Sequence, residues 1–147
     1  MPLSLMFPEA NIPIVQLSIQ HNLDPAKHLE IGYALQPLRE KKILILGSGG
    51  AVHPLGYFTP RFDGSPPEKW ATDFEAWLTD KVRRGDNRSL LEYRRRAPYP
   101  ERAHPRPDHL MPLIVVVGAA GVNVPGVKIH LARATWGDLG MGAYEFA

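Results

Sequence analysis

Apolar positions along this chain follow two rhythms, and the change from one to the other lays out the elements. Ile12 to Ile19 alternates and clusters β-branched residues, which predicts a short strand with Pro13 confined to its beginning. Asp24-Pro25 then offers an N-cap carboxylate followed by proline in the first turn. Leu29, Ile31, Tyr33, Ala34, Leu35 and Leu38 continue at helical spacing to about Glu40, with the interior Pro37 making the last turn irregular. Lys42 to Leu46 is a second apolar run, of the kind a strand buried on both faces shows. Strand, helix and strand in this order predict a right-handed βαβ unit.

Further along, Pro54 to Pro67 carries Tyr57, Phe58 and Phe62 among prolines and glycines, and reads as a long functional or covering loop. Helix returns from Glu68 to Arg83, where Trp70, Phe74, Trp77 and Leu78 mark one buried face. A shorter helix is expected around Ser89 to Arg95, and Pro98-Tyr99-Pro100 after it must be extended or turned. The stretch from Pro107 to Gly118 carries conflicting signals. Ile114-Val115-Val116-Val117 favours strand by propensity, whereas Pro107-Asp108 opens a helix; a buried helix to about Ala120 is the reading adopted. Two strands, Val127 to Thr135 and Leu139 to Phe146, joined through Trp136-Gly137-Asp138, close the chain. The class is α/β, with a central, mostly parallel or mixed sheet flanked by helices within a single domain of 147 residues.

Composition narrows the function. With 44% hydrophobic and 22% charged residues the profile is that of a soluble globular protein. The absence of cysteine removes disulfides, thiolate ligands and a cysteine nucleophile, and makes a cytoplasmic home the simplest expectation. No apolar run reaches transmembrane length, so no membrane partner is expected. A formal charge of +2 gives little pull toward nucleic acid. The basic run Arg94-Arg95-Arg96, with Lys81, Arg83, Arg84 and Arg88 before it, is interrupted by Asp80, Asp86 and Glu92, the pattern of a solvated helical face.

The candidate chemistry begins where the second strand ends. Gly47-Ser48-Gly49-Gly50-Ala51-Val52-His53-Pro54 breaks the apolar run into small residues and then presents one histidine. Such glycines allow a sharp turn and the close approach of a ligand, and the carboxyl end of a strand is where open α/β sheets place their chemistry. Of six histidines, His21, His28, His104 and His130 have no companion at metal-ligand spacing. His53 and His109 stand apart, each at an element boundary beside small or proline residues. Two imidazoles completed by oxygen ligands suit iron(II), zinc or copper.

Several segments together resemble the 4,5-DOPA extradiol dioxygenase family, within the class III extradiol ring-cleavage dioxygenases. They are Leu5 to Ser18, Gly47 to His53, Trp70-Ala71-Thr72-Asp73-Phe74, Pro107 to Leu113 and Gly140 to Phe146, in the family's order. The resemblance implies a mononuclear non-haem iron(II) enzyme, with zinc able to occupy the same site, that uses dioxygen to open a catechol such as DOPA beside its two hydroxyls. It implies that His53 is the acid/base beside the metal, and in this branch also approaches the metal itself. It implies that His109 is a metal ligand. Tyr57 and Phe58 are then candidates for the wall of the substrate pocket.

Full-length members of that family carry Gly-His-Gly-Ser-Pro and Ser-Ala-His segments that supply the other metal histidines, and an Asp-His-Gly segment. None of the three is present here. The resemblance therefore implies the C-terminal half of the fold, as a truncated chain or one component of a split enzyme. Its partner would be an N-terminal-half chain or further copies of itself. The competing expectation is a non-catalytic metal- or partner-binding module on the same scaffold.

Overall fold

A computed structural model describes residues 2–57, 60–130 and 137–147. Its helices are α1 (Pro2–Met6), α2 (Pro25–Glu40), α3 (Lys69–Arg84), α4 (Asn87–Leu91), α5 (Tyr93–Arg96), α6 (Pro100–Ala103) and α7 (Met111–Ala120), with a 3₁₀ turn at Pro107–His109 leading into the last. β1 (Val127–His130) and β2 (Ala143–Glu145) pair antiparallel. The α/β class expected from the sequence holds.

Two helices form the spine. Asp24 caps α2, its carboxylate accepting the Ala26 N–H at 2.8 Å, with Pro25 in the first turn. α2 crosses α7 where Gly32 meets Gly118. A Cβ on Gly32 would fall 2.2 Å from the Val115 carbonyl oxygen, and one on Gly118 would fall 2.3 Å from that of Leu29. The two backbones therefore touch at a separation that no side chain would allow. At the far end, Arg39 donates to the Ala120 and Ala119 carbonyls at 3.0 and 3.3 Å, satisfying acceptors that α7 leaves open at its C-terminus.

α3 packs its apolar face, Trp70, Ala71, Phe74, Leu78 and Val82, into the core with Leu90, Tyr93, Leu110, Met111 and Ile114. It ends on Gly85, whose left-handed φ of 62° a residue with a side chain would adopt only under strain. The single short helix expected near Ser89–Arg95 is two, α4 and α5, broken at Glu92. Glu92 is also the hub of the basic run, accepting ion pairs from Arg88, Arg95 and Arg96, while Arg94 pairs with Glu101. The charges are internally matched, as a solvated helical face requires.

The main departure concerns the two strands expected on either side of α2. Residues 12–19 and 42–46 form no strand ladder among the described residues; Lys42 and Ile43 donate only to Arg39 and Leu38 at the end of α2, so the βαβ unit is not closed there. Their apolar side chains face outward: Val15 is 93% exposed, Ile14 66% and Leu44 61%. The physical reason is that a helix satisfies its hydrogen bonds within its own segment, whereas a strand needs a neighbour. The sequence encodes the apolar, β-type character of both runs; what would cover them is not among the described residues. The C-terminal strand pair is shorter than its apolar pattern implied. β2 covers only Ala143–Glu145 of the expected Leu139 to Phe146, and the rest of the expected Val127 to Thr135 strand, with Trp136, lies outside the described residues.

Candidate active site

The turn that carries His53 is held from several directions. Gly50 donates its N–H to the His109 carbonyl at 3.2 Å, and Ala51 donates to Gly140 at 2.9 Å. Gly140 donates back to the Val52 carbonyl at 3.0 Å, and His53 donates to the Ala103 carbonyl at 2.9 Å. Val52 and Gly140 thus form a bridge between the site turn and the C-terminal segment. Gly140 permits it, because a Cβ there would lie 2.8 Å from the Val52 nitrogen.

The glycines before His53 serve a different purpose from the one their pattern suggested. A Cβ on Gly47 would sit 2.5 Å from the Pro112 carbonyl oxygen, and one on Gly49 only 2.1 Å from that of His109. The close approach is thus made by the backbone that opens α7, and it leaves no space there for a ligand. That contact brings the two site segments, 56 residues apart in sequence, against each other.

His53 and His109 are consequently neighbours. Their imidazoles stack face to face, with ring centroids 3.6 Å apart and planes within 7° of parallel. Burial holds His53 below the ordinary imidazole pKa, and a charge on His109 would push it further the same way, while Asp108 opposes both. The His53 Nδ1 is buried and has no hydrogen-bond partner. Asp108 accepts the His109 N–H at 3.2 Å and pairs with Arg106 at 3.4 Å. Tyr57 lies exposed on the turn just beyond His53, whereas Phe58 is outside the described residues.

These donors fit a borderline metal such as iron(II) or zinc in kind, since both are imidazoles. Their number and direction are incomplete. A ring nitrogen's lone pair lies in the ring plane, so two parallel rings point side by side and do not converge on one ion. Among the described residues no group of three or more His, Asp or Glu side chains is placed to hold a metal. One ring could face an ion while the other stands beside it, and the described residues do not by themselves complete a ligand set.

The remaining histidines divide sharply. His28 is buried and satisfied at both nitrogens: Nε2 accepts the Gln20 N–H at 3.0 Å, so Nδ1 carries the proton and donates to the Asp24 carbonyl at 2.6 Å. His104, which sequence spacing gave no companion, lies fully buried beneath the site turn with Nε2 3.0 Å from the Ala51 carbonyl oxygen. Its one local signal is Ala103-His104-Pro105, a histidine fixed before proline. The covering loop is pinned by Arg61, which pairs at 3.0 Å with the buried Asp138. That same carboxylate accepts the Glu68 N–H at 2.8 Å.

Residues 1–143 match the family described as the catalytic LigB subunit of aromatic ring-opening dioxygenase. The chain is 42% identical over 147 residues to a 4,5-DOPA dioxygenase extradiol of Beta vulgaris, covering 99% of this chain and 53% of that protein. It is 36% identical over 142 residues to the 4,5-DOPA dioxygenase extradiol of Escherichia coli K12, covering 92% of this chain and 50% of that protein. A crystal structure of an uncharacterized Escherichia coli K12 protein superposes with a TM-score of 0.85 at 30% identity, over 99% of this chain and 59% of that one. The chain thus spans about half the length of the curated relatives it matches. On this match over residues 1–143, the chain belongs to the LigB family of aromatic ring-opening dioxygenases.

Proposed function

We propose that this chain supplies the acid/base half of an extradiol ring-cleaving dioxygenase site acting on a catechol such as DOPA. The observation that carries the reading is the His53–His109 stack at 3.6 Å in a chain matching the ring-opening family over residues 1–143. His109 would ligate the metal, iron(II) with zinc as a second occupant, through an in-plane ring nitrogen. The bound metal would orient the two catechol oxygens and join them electronically to dioxygen. His53 would take a proton from a catechol hydroxyl and return one as the ring opens, work that needs a neutral imidazole at the start. Its lowered pKa, caused first by burial, supports that protonation state.

The remaining ligands would come from a second polypeptide unit, in the same longer protein or in a separate chain. Two features support this. The described residues hold no three-ligand cluster, and the runs at residues 12–19 and 42–46 expose apolar side chains on backbone outside any strand ladder. Strands from that unit would cover them. The alternative, a non-catalytic module that keeps the scaffold, rests on the same incomplete ligand count.

The experiment loads the purified chain with iron(II) without air, alone and mixed with the N-terminal half of the Beta vulgaris relative, then adds DOPA and air. Yellow ring-opened product from the mixture and none from the lone chain is the expected result. Product from neither, with the mixture shown to associate, would overturn the catalytic reading in favour of the non-catalytic module.

A further inference from the structure

Beneath the site turn lies a buried group for which the proposed chemistry has no direct use. His104 is fully buried, 5.4 Å from Phe74 between ring centroids, and its Nε2 lies 3.0 Å from the Ala51 carbonyl oxygen. A carbonyl only accepts, so Nε2 must carry the proton and donate it. The other nitrogen, Nδ1, is then a bare acceptor, and it is buried with no hydrogen-bond partner. Phenylalanine or leucine would fill the same space without a bare ring nitrogen, but either would leave the buried Ala51 carbonyl without its donor. The stranded nitrogen marks this histidine as retained for the donor on its other side.

That donor acts where it matters. Ala51 and His53 are both gripped by the dipeptide Ala103-His104: the Ala103 carbonyl accepts the His53 N–H at 2.9 Å, and the His104 ring donates to Ala51. The other tethers of the turn, from Gly50 to His109 and between Ala51, Val52 and Gly140, run backbone to backbone. We propose that His104 is a positioning residue, whose Nε2–H fixes the Ala51 carbonyl and so sets the angle at which His53 stands against His109. Burial depresses the His104 pKa to about 4, so the ring keeps its single proton, and this tautomer, under ordinary conditions. The catalytic value of the device rests on the acid/base reading of His53, but its geometry does not.

The test is made on the full chain, free of metal and substrate, so that failure of the dioxygenase reading leaves it intact. Long-range ¹⁵N–¹H spectra read the tautomer of each histidine, and ring-to-ring Overhauser contacts read the His53–His109 stack. In the unmutated chain His104 is expected protonated at Nε2 and bare at Nδ1. In His104→Gln the side-chain amide reaches the Nε2 position and still donates, so the ring contacts persist. In His104→Phe the ring still packs on Phe74, but the donor is gone and the contacts are lost. An Nδ1-protonated His104, a stack that survives in the Phe variant, or one lost equally in both variants would each overturn the proposal. Should His104→Phe fail to fold, the tautomer and the Gln variant still decide it.

Discussion

Gly49 lies so tightly against His109 that a methyl group on its Cα would come 2.1 Å from the His109 carbonyl oxygen. The contact couples the two halves of the candidate site directly. Gly49→Ala must push apart the site turn and the start of α7, and a strain of this kind costs about 1–3 kcal/mol. Urea unfolding should record that loss, together with broken ring contacts between His53 and His109. Gly50→Ala is the control. Its Cβ would meet only the ordinary neighbours His53 Cβ and the Val52 oxygen at 3.5 Å, so its effect should lie between neutral and about 1 kcal/mol stabilising. Equal destabilisation by both would refute the close-approach account.

Parallel rings make a division of labour between His53 and His109 testable. His109→Ala should remove most of the metal affinity of a reconstituted enzyme, measured by calorimetry with zinc in place of iron. His53→Ala should retain most of that affinity yet lower turnover by about 10²–10⁴-fold, the scale of a lost general acid/base. If both variants lose metal to the same degree, His53 turns onto the ion as well, and the resemblance's second role for it is the correct one.

Where local chemistry decides, the chain was readable. The Asp24-Pro25 start of α2, the tryptophan face of α3 and the helix entered at Pro107-Asp108 all follow from neighbouring residues. α7 overrides the β-branched run Ile114 to Val117, and its tail of Gly118-Ala119-Ala120 explains why, since only small residues allow the backbone contact with Gly32. Glycine and proline surroundings single out His53 and His109 as candidates, and the structure stacks their rings. Distant partners were not legible. The Gly47 and Gly49 contacts lie on backbone more than 50 residues away, and so does the carbonyl that gives His104 its purpose. The same holds for residues 12–19 and 42–46, whose strand-like composition cannot specify which neighbour completes the ladder.

His104 also predicts the chain's response to acid. Its folded pKa of about 4 lies below the unfolded 6.5, so between these values the unfolded state binds more protons. Stability should therefore be full above about pH 6.5 and fall as pH drops toward 4, by up to about 3 kcal/mol at 1.36 kcal/mol per pK unit. Denaturant midpoints taken at intervals from pH 7 to pH 4 measure this. His104→Gln carries no proton to exchange, so its profile should be flatter than the parent's by that amount. Parallel profiles for the two proteins would mean that His104 titrates normally in the fold.

The outward apolar runs make the last prediction, about association. Val15 at 93% and Leu44 at 61% exposure contribute little to the core of this chain, so charging them should leave its folding intact. Left as they are, they flank unpaired backbone that can accept a strand from another molecule. Sedimentation velocity of the lone chain should therefore show concentration-dependent self-association. Val15→Lys with Leu44→Lys should shift it toward monomer while the thermal midpoint moves by no more than about 0.5 kcal/mol equivalent. The same pair should weaken capture of the N-terminal half used in reconstitution, because burying two unpaired ammonium groups against apolar strands is strongly unfavourable. A large fall in the midpoint would place these side chains in the core of this chain itself, and unchanged capture would place the docking surface elsewhere.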